Sequence, residues 1–162
     1  MSIILGIDPG TTTVGFAVLR TAHPIPEILD FGVISTPPKI PLADKLVEIV
    51  RDLSELCDAY RPDACGMETL LFTKNRTTGI AVAQARGAIM AELAKRGILL
   101  AEFGPMQVKK SICGNGHAPK SQVQNALKLL FRMEEIPKPD DAADAIAIAY
   151  AASLSRFPGR SG

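Results

Sequence analysis

Residues 3–20 read Ile-Ile-Leu-Gly-Ile-Asp-Pro-Gly-Thr-Thr-Thr-Val-Gly-Phe-Ala-Val-Leu-Arg, two apolar runs joined by a short polar turn. Ile3 to Asp8 and Val14 to Arg20 are rich in β-branched residues and read as strands, with Gly10-Thr11-Thr12-Thr13 between them. Glu27 to Ser35, past Ala22-His23-Pro24, is a third strand, and links this short imply an antiparallel meander. Pro41 to Tyr60 then carries Leu42, Leu46, Ile49, Leu53 and Leu56 at helical spacing, and Arg61-Pro62 stops it. Asp63 to Glu68 is a fourth strand, Asn75 to Arg96 a helix ended by Gly97, and Ile98 to Phe103 a fifth strand. Strand, helix, strand, helix, strand implies parallel crossovers. The expected fold is therefore α/β: a five-stranded mixed sheet, three antiparallel strands and then two parallel ones, flanked by helices.

Past Gly104-Pro105 the pattern predicts a short helix from Met106 to Ile112, a loop from Cys113 to Pro119 and a helix from Ser121 to Met133. Pro137 and Pro139 break the chain before a last helix from about Asp140 to Ser155. One domain is expected over residues 1–156, with 157–162 a flexible C-terminal tail.

With 162 residues, 47% of them apolar, the chain can bury one core. No segment approaches the roughly 18 apolar residues of a membrane span. Met1 to Ile7 lacks the basic start and cleavage site of a secretory signal, so no membrane association and a cytoplasmic location are expected. Cys57, Cys65 and Cys113 are widely spaced and form no CxxC pair, which argues against a disulfide framework or a thiolate zinc site. A net charge of +1 selects no partner. Its distribution is uneven: Lys74, Arg76, Arg86, Lys95, Arg96, Lys109, Lys110, Lys120, Lys128 and Arg132 face only Glu92 and Glu102 in that stretch. Either a polyanion on one face or ordinary solvated helices would account for it.

Four carboxylates stand out. Asp8 and Glu68 each end an apolar strand, while Asp141 and Asp144 lie at i and i+3 on one face of the last helix, with Ala142, Ala143 and Ala145 leaving room around them. Asp140, following Pro139, is the expected N-cap of that helix. A meander followed by a crossover strand sets two strand ends side by side, and a terminal helix can close over them. Buried carboxylates crowded into one cleft need compensation, and a cluster of oxygen ligands suits Mg²⁺ or Mn²⁺. Two such ions, roughly 3.5–4 Å apart, can activate a water and stabilise a leaving oxygen in phosphodiester cleavage.

An early strand Asp, a mid-chain strand Glu and a late helical Asp, in that order, resemble the ribonuclease H-like nuclease superfamily. Within it, five stretches are similar to the RuvC family of bacterial Holliday junction resolvases: Ile3-Ile4-Leu5-Gly6-Ile7-Asp8-Pro9-Gly10, Gln84-Ala85-Arg86-Gly87, Gln107-Val108-Lys109, Lys120-Ser121-Gln122-Val123-Gln124 and Asp141-Ala142-Ala143-Asp144-Ala145. The similarity runs from Ile3 to about Ala151. It implies a ribonuclease H-like fold and a homodimer that recognises four-way junction DNA. Paired symmetric nicks leaving 5′-phosphate and 3′-hydroxyl ends would serve recombination and repair, with a branch-migration helicase complex as partner. It also implies that Asp8, Glu68, Asp141 and Asp144 are catalytic ligands to two Mg²⁺ per subunit, with Mn²⁺ able to substitute.

By the same resemblance Lys109 and Lys120 lie near the scissile phosphate, where an ammonium would offset developing charge. Lys74, Asn75 and Arg76, beyond Glu68, would hold the DNA backbone, and Lys110 joins this DNA-binding set. Family members commonly carry an aromatic wedge three residues after the Glu; here that position is Leu71 and the aromatic is Phe72, and either can part base steps. His117 is either a phosphate contact or an exposed loop residue. Small residues Gly79, Ala81, Ala85 and Ala88 along the second long helix allow close approach of a symmetry mate.

Gly6 to Thr13 also resembles the phosphate loop of the actin, sugar kinase and heat-shock ATPase superfamily. Those proteins clamp nucleotide between two such domains, and 162 residues supply one. Two further alternatives are a nuclease of related fold acting on other nucleic acids, and a junction binder without catalysis. All four acids being intact speaks against the second.

Overall fold

Strand β1 (Ile3–Asp8) is apolar on both faces because it lies inside the sheet, with helices on either side. The computed structural model describes residues 1–70 and 76–157, Arg76 by its backbone alone. After β1 come β2 (Thr13–Arg20), β3 (Glu27–Ser35), α1 (Leu42–Tyr60), β4 (Ala64–Glu68), α2 (Arg76–Lys95), β5 (Leu99–Phe103), α3 (Pro105–Cys113), α4 (Lys120–Leu130) and α5 (Asp140–Ser153). The sheet order is β3-β2-β1-β4-β5. β1 pairs antiparallel with β2 and parallel with β4, and β5 is parallel to β4. This is the ribonuclease H-like arrangement expected from the sequence. The register Ile7↔Met67 sends Asp8 and Glu68 out of adjacent strands at the same edge.

Alternate residues of the strands serve two cores, as the two-residue period of a strand requires. Leu5, Ile7, Val14 and Val18 pack with Ile49 and Leu53 of α1 and Ile89 and Leu93 of α2. Ile4, Ala17 and Leu19 face the other way, against α5 and its neighbours α3 and α4. Helix α5 is nearly all alanine and isoleucine on its buried positions, so its backbone can approach the sheet closely. The glycines opposite it complete the fit. A Cβ at Gly6 would stand 2.3 Å from the Ala145 carbonyl oxygen, and one at Gly15 would stand 2.0 Å from that of Asp141. These contacts seat the first turn of α5 over the start of β2, close to where β1 ends.

Three local expectations are corrected. Asp140 is not the N-cap: Pro139 holds that position, without a side-chain cap bond, and the Asp140 carboxylate instead engages Lys120 and Gln124 of α4. Helix α4 ends at Leu130 rather than Met133 because the chain turns left-handed at Arg132, with φ at 52°. Phe157, expected to begin the tail, is buried in the α5 core. Residues 158–162 lie outside the described residues, as do Leu71, Phe72, Lys74, Asn75 and the side chain of Arg76.

Cys57, Cys65 and Cys113 are free thiols, the first two buried. Among the described residues no helix is long and apolar enough to cross a membrane.

Candidate metal centre

Strand β1 delivers Asp8 to the sheet edge, and α5, lying across that edge, supplies Asp141 and Asp144 from its first turns. One carboxylate oxygen of each lies within 4.8 Å of those of the other two. All three side chains are half-buried. Three of the four acids singled out in the sequence are thus brought together, and the fourth stands somewhat apart. Glu68, at the end of β4, lies beyond that spacing but near enough that its charge acts on Asp8 and feels Asp144.

Electrostatics shows that the cluster is under-compensated. Burial, then the charges of Asp144, Asp141 and Glu68, push the Asp8 carboxyl up to about 8. Glu68 is raised by burial and by Asp144, with Lys109 opposing. Asp144 is raised by burial and its acidic neighbours, with Lys120 opposing. Carboxylates held this close keep a proton unless a cation replaces it. The donors are all hard oxygens, presented by the backbone of a strand and of a helix, and they fit a divalent ion of the Mg²⁺ or Mn²⁺ type.

The pH dependence follows with a definite sign. Between the ordinary carboxyl value of 3.8 and about 8, the folded chain retains on Asp8 a proton that the unfolded chain has lost. Without metal, stability contributed by this group falls as pH rises through that window. A cation bound there displaces the proton. The rise in melting temperature on adding Mg²⁺ is therefore expected to grow from about pH 5.5 to about pH 8.5, and calorimetry in buffers of different ionisation heat is expected to show proton release on binding. A stabilisation independent of pH would remove Asp8 from the ligand set.

Beside the acids opens a cleft of about 270 Å³. Glu68 and Asp144 stand on its rim with Lys109 of α3 and Lys120 of α4, and its floor is apolar, with Val108, Leu127, Ala147 and Ile148. Both expected lysines thus face the acids. Lys120 is oriented by a 2.7 Å ion pair with Asp140, which raises its pKa, and the Asp144 and Asp141 charges add to that rise. This is the contact of Asp140 that the cap assignment missed. Lys110, the next residue along α3, is exposed. So is His117, whose backbone N–H is held by the Asn115 side chain.

The cationic stretch is partly spent on internal pairs. Arg96 binds Glu92 and Asp58, and Arg86 binds Glu102. Arg86 is a residue whose place the sequence reading missed, although it lies in one of the quoted motifs. Its side chain is 14% exposed. It lines a recess of about 190 Å³ with Asp8 and Glu68, and its Nε is buried without an acceptor among the described residues.

Comparison with known proteins agrees with this geometry. The family model described as crossover junction endodeoxyribonuclease RuvC matches residues 4–152. The chain is 40% identical to the crossover junction endodeoxyribonuclease RuvC of Treponema denticola over 146 residues, 90% of this chain and 82% of the relative. It is 43% identical to that of Petrotoga mobilis over 148 residues, 91% of each. Among solved structures, Thermus thermophilus RuvC in complex with Holliday junction substrate superposes with a TM-score of 0.88 at 30% identity, covering 93% of this chain and 92% of that one. With an acid cluster, a sheet and a family match that coincide over nearly its whole length, the chain belongs to the RuvC family of crossover junction endodeoxyribonucleases.

Proposed function

We propose that the chain is a structure-selective endodeoxyribonuclease that resolves four-way DNA junctions by paired symmetric nicks, acting as a homodimer. The observation that carries this reading is the convergence of Asp8, Asp141 and Asp144 at one sheet edge, beside a cleft shared by Glu68, Lys109 and Lys120. The Thermus relative solved with a Holliday junction supports the substrate.

In this reading Asp8, Glu68, Asp141 and Asp144 hold two Mg²⁺ ions, and Mn²⁺ can take their place. Held by these four carboxylates, the ions would supply Lewis-acid stabilisation of charge on the phosphate and activate a water for attack. Lys109 and Lys120 place ammonium groups against the non-bridging oxygens, where charge accumulates in the transition state. Asp140 holds Lys120 in that position. The apolar floor limits water to the reacting face. Water attacks phosphorus, the bond to the 3′ oxygen breaks, and the products carry 5′-phosphate and 3′-hydroxyl ends.

Paired nicks need two such centres, and a twofold dimer provides them. Helix α2, with Ile80 exposed between Gly79 and Ala81, is the surface we assign to a second copy, although Ala85, expected on that face, is buried in the chain's own core. Lys74, Asn75, Arg76 and Lys110 would hold the backbone of the arms, with Leu71 or Phe72 entering the junction centre. We further assign residues 1–157 to one nuclease domain, Phe157 being part of its core, working in the cytoplasm with a branch-migration helicase complex.

Purified protein with Mg²⁺ is expected to cut a mobile four-way junction while largely sparing linear duplex of the same sequence. Equal cutting of both would point to a nuclease of related fold with another substrate.

A further inference from the structure

The turn between β1 and β2 plays no part in the chemistry above, and it covers a buried cation. Lys45 of α1 is 8% exposed, and its Nζ donates to Thr12 Oγ1 at 3.2 Å. Among the described residues no carboxylate lies within 4.0 Å of this ammonium. A buried charge whose partner is one neutral hydroxyl is costly to maintain. Thr12 Oγ1, which accepts from Lys45, keeps its own O–H free to donate outward.

The turn itself is arranged with its carbonyls inward. Thr11 O accepts from Thr36 Oγ1 at 2.6 Å, and Thr12 O accepts from the Thr36 N–H at 2.9 Å. The Thr13 carbonyl oxygen would lie 2.1 Å from a Cβ at Gly10, so only glycine fits there. The N–H groups of Gly10, Thr11 and Thr12 have no acceptor among the described residues. Successive free amides above a buried ammonium form a concavity for an anion.

We propose that Gly10, Thr11 and Thr12, backed by Lys45, form a phosphate-binding subsite distinct from the acid cluster, and that it takes a non-reacting backbone phosphate of the DNA strand. This rests on the nuclease reading. The turn starts two residues after Asp8, so subsite and acids share one edge of the sheet. Lys45 reaches the edge from the α1 face, and Asp141 and Asp144 reach it from the α5 face. A strand crossing that edge meets both, and the held phosphate fixes which neighbour enters the cleft. Lys45 acts through Thr12 and is a positioning residue.

The test measures binding of a labelled four-way junction to the full chain, without Mg²⁺, across about 50–200 mM KCl. Lys45→Met is expected to weaken binding roughly fivefold to tenfold and to reduce the slope of log K against log salt by about 1, as loss of one phosphate contact does. Lys45→Arg is expected to restore the slope. Thr12→Val, at an exposed position that leaves the core untouched, is expected to weaken binding in the same direction, which keeps the test valid if Lys45→Met unfolds. Wild-type slope in Lys45→Met together with wild-type affinity in Thr12→Val overturns the subsite while leaving the nuclease reading intact. Wild-type protein that fails to bind the junction overturns the nuclease reading, and the DNA source of the phosphate with it. Parallel titration with inorganic phosphate and with ATP separates the sources. Weak, Lys45-dependent competition by inorganic phosphate, with ATP no tighter, supports the proposal, whereas tight Lys45-dependent ATP binding overturns the DNA assignment.

Discussion

Asp8→Asn is expected to slow strand cutting by about 10³-fold or more, the equivalent of losing roughly 4 kcal/mol of metal-dependent stabilisation at about 1.4 kcal/mol per factor of ten. The same variant is expected to bind a four-way junction as tightly as the parent, because the phosphate contacts proposed above lie on lysines and on amides. It should also melt higher than the parent in EDTA at about pH 8, a signature that an ordinary damaging mutation lacks. The Asp8 carboxyl is pushed up to about 8 by burial and by three neighbouring carboxylates, so its anion is disfavoured in the folded chain. Asparagine removes that charge. Below about pH 4 the carboxyl carries its proton in both the folded and the unfolded chain and the two proteins should melt alike, while the increment from Mg²⁺ should be lost in the variant at every pH. Retained cutting, or a melting temperature lowered at both pH values, would show that Asp8 serves the fold rather than the metal.

Gly15→Ala is expected to lower both stability and rate although Gly15 bears no chemical group. The new Cβ would lie 2.0 Å from the Asp141 carbonyl oxygen and 3.2 Å from its Cβ. Carbon atoms do not approach that closely, so the first turn of α5 must lift from β2. Overpacking of this kind costs about 1–3 kcal/mol. The displaced turn carries Asp141 and, one turn on, Asp144, and a shift of about 1 Å in catalytic groups costs about 10²-fold in rate. Gly6→Ala meets α5 further along, at Ala145, and is expected to destabilise to a similar degree. Differential scanning calorimetry with single-turnover cutting checks both effects. A Gly15→Ala protein that cuts at the parental rate would mean that the seating of α5 does not position the acids.

Much of this arrangement was legible in the sequence where local spacing decides structure. The β-branched alternation of 3–20 gave the hairpin, and the Asp141/Asp144 spacing put two acids on one helical face. What stayed hidden depends on pairs distant in sequence. Asp140 follows Pro139 as caps often do, yet Lys120 and Gln124 from α4 claim its carboxylate. Strand ends say nothing of side-chain reach, and Glu68 lines the cleft with Asp144 and the recess with Asp8 without joining the tight triple. Arg86 sat in a quoted motif, but its partner Glu102 reaches it only when α2 packs on β5. Lys45 did leave a signal. It shares the buried row of α1 with Ile49, Leu53 and Cys57, each four residues on, and a lysine in that row is a charge the fold must answer.

The central claim is that the acid cluster nicks junctions in symmetric pairs. The most direct measurement maps the cuts on all four strands of a mobile four-way junction at nucleotide resolution, and then treats the products with DNA ligase. Symmetric cuts in two opposed strands, sealed by ligase without further processing and absent from the Asp8→Asn reaction, are the predicted result. Unpaired or scattered cuts, or ends that ligase cannot seal, would contradict it.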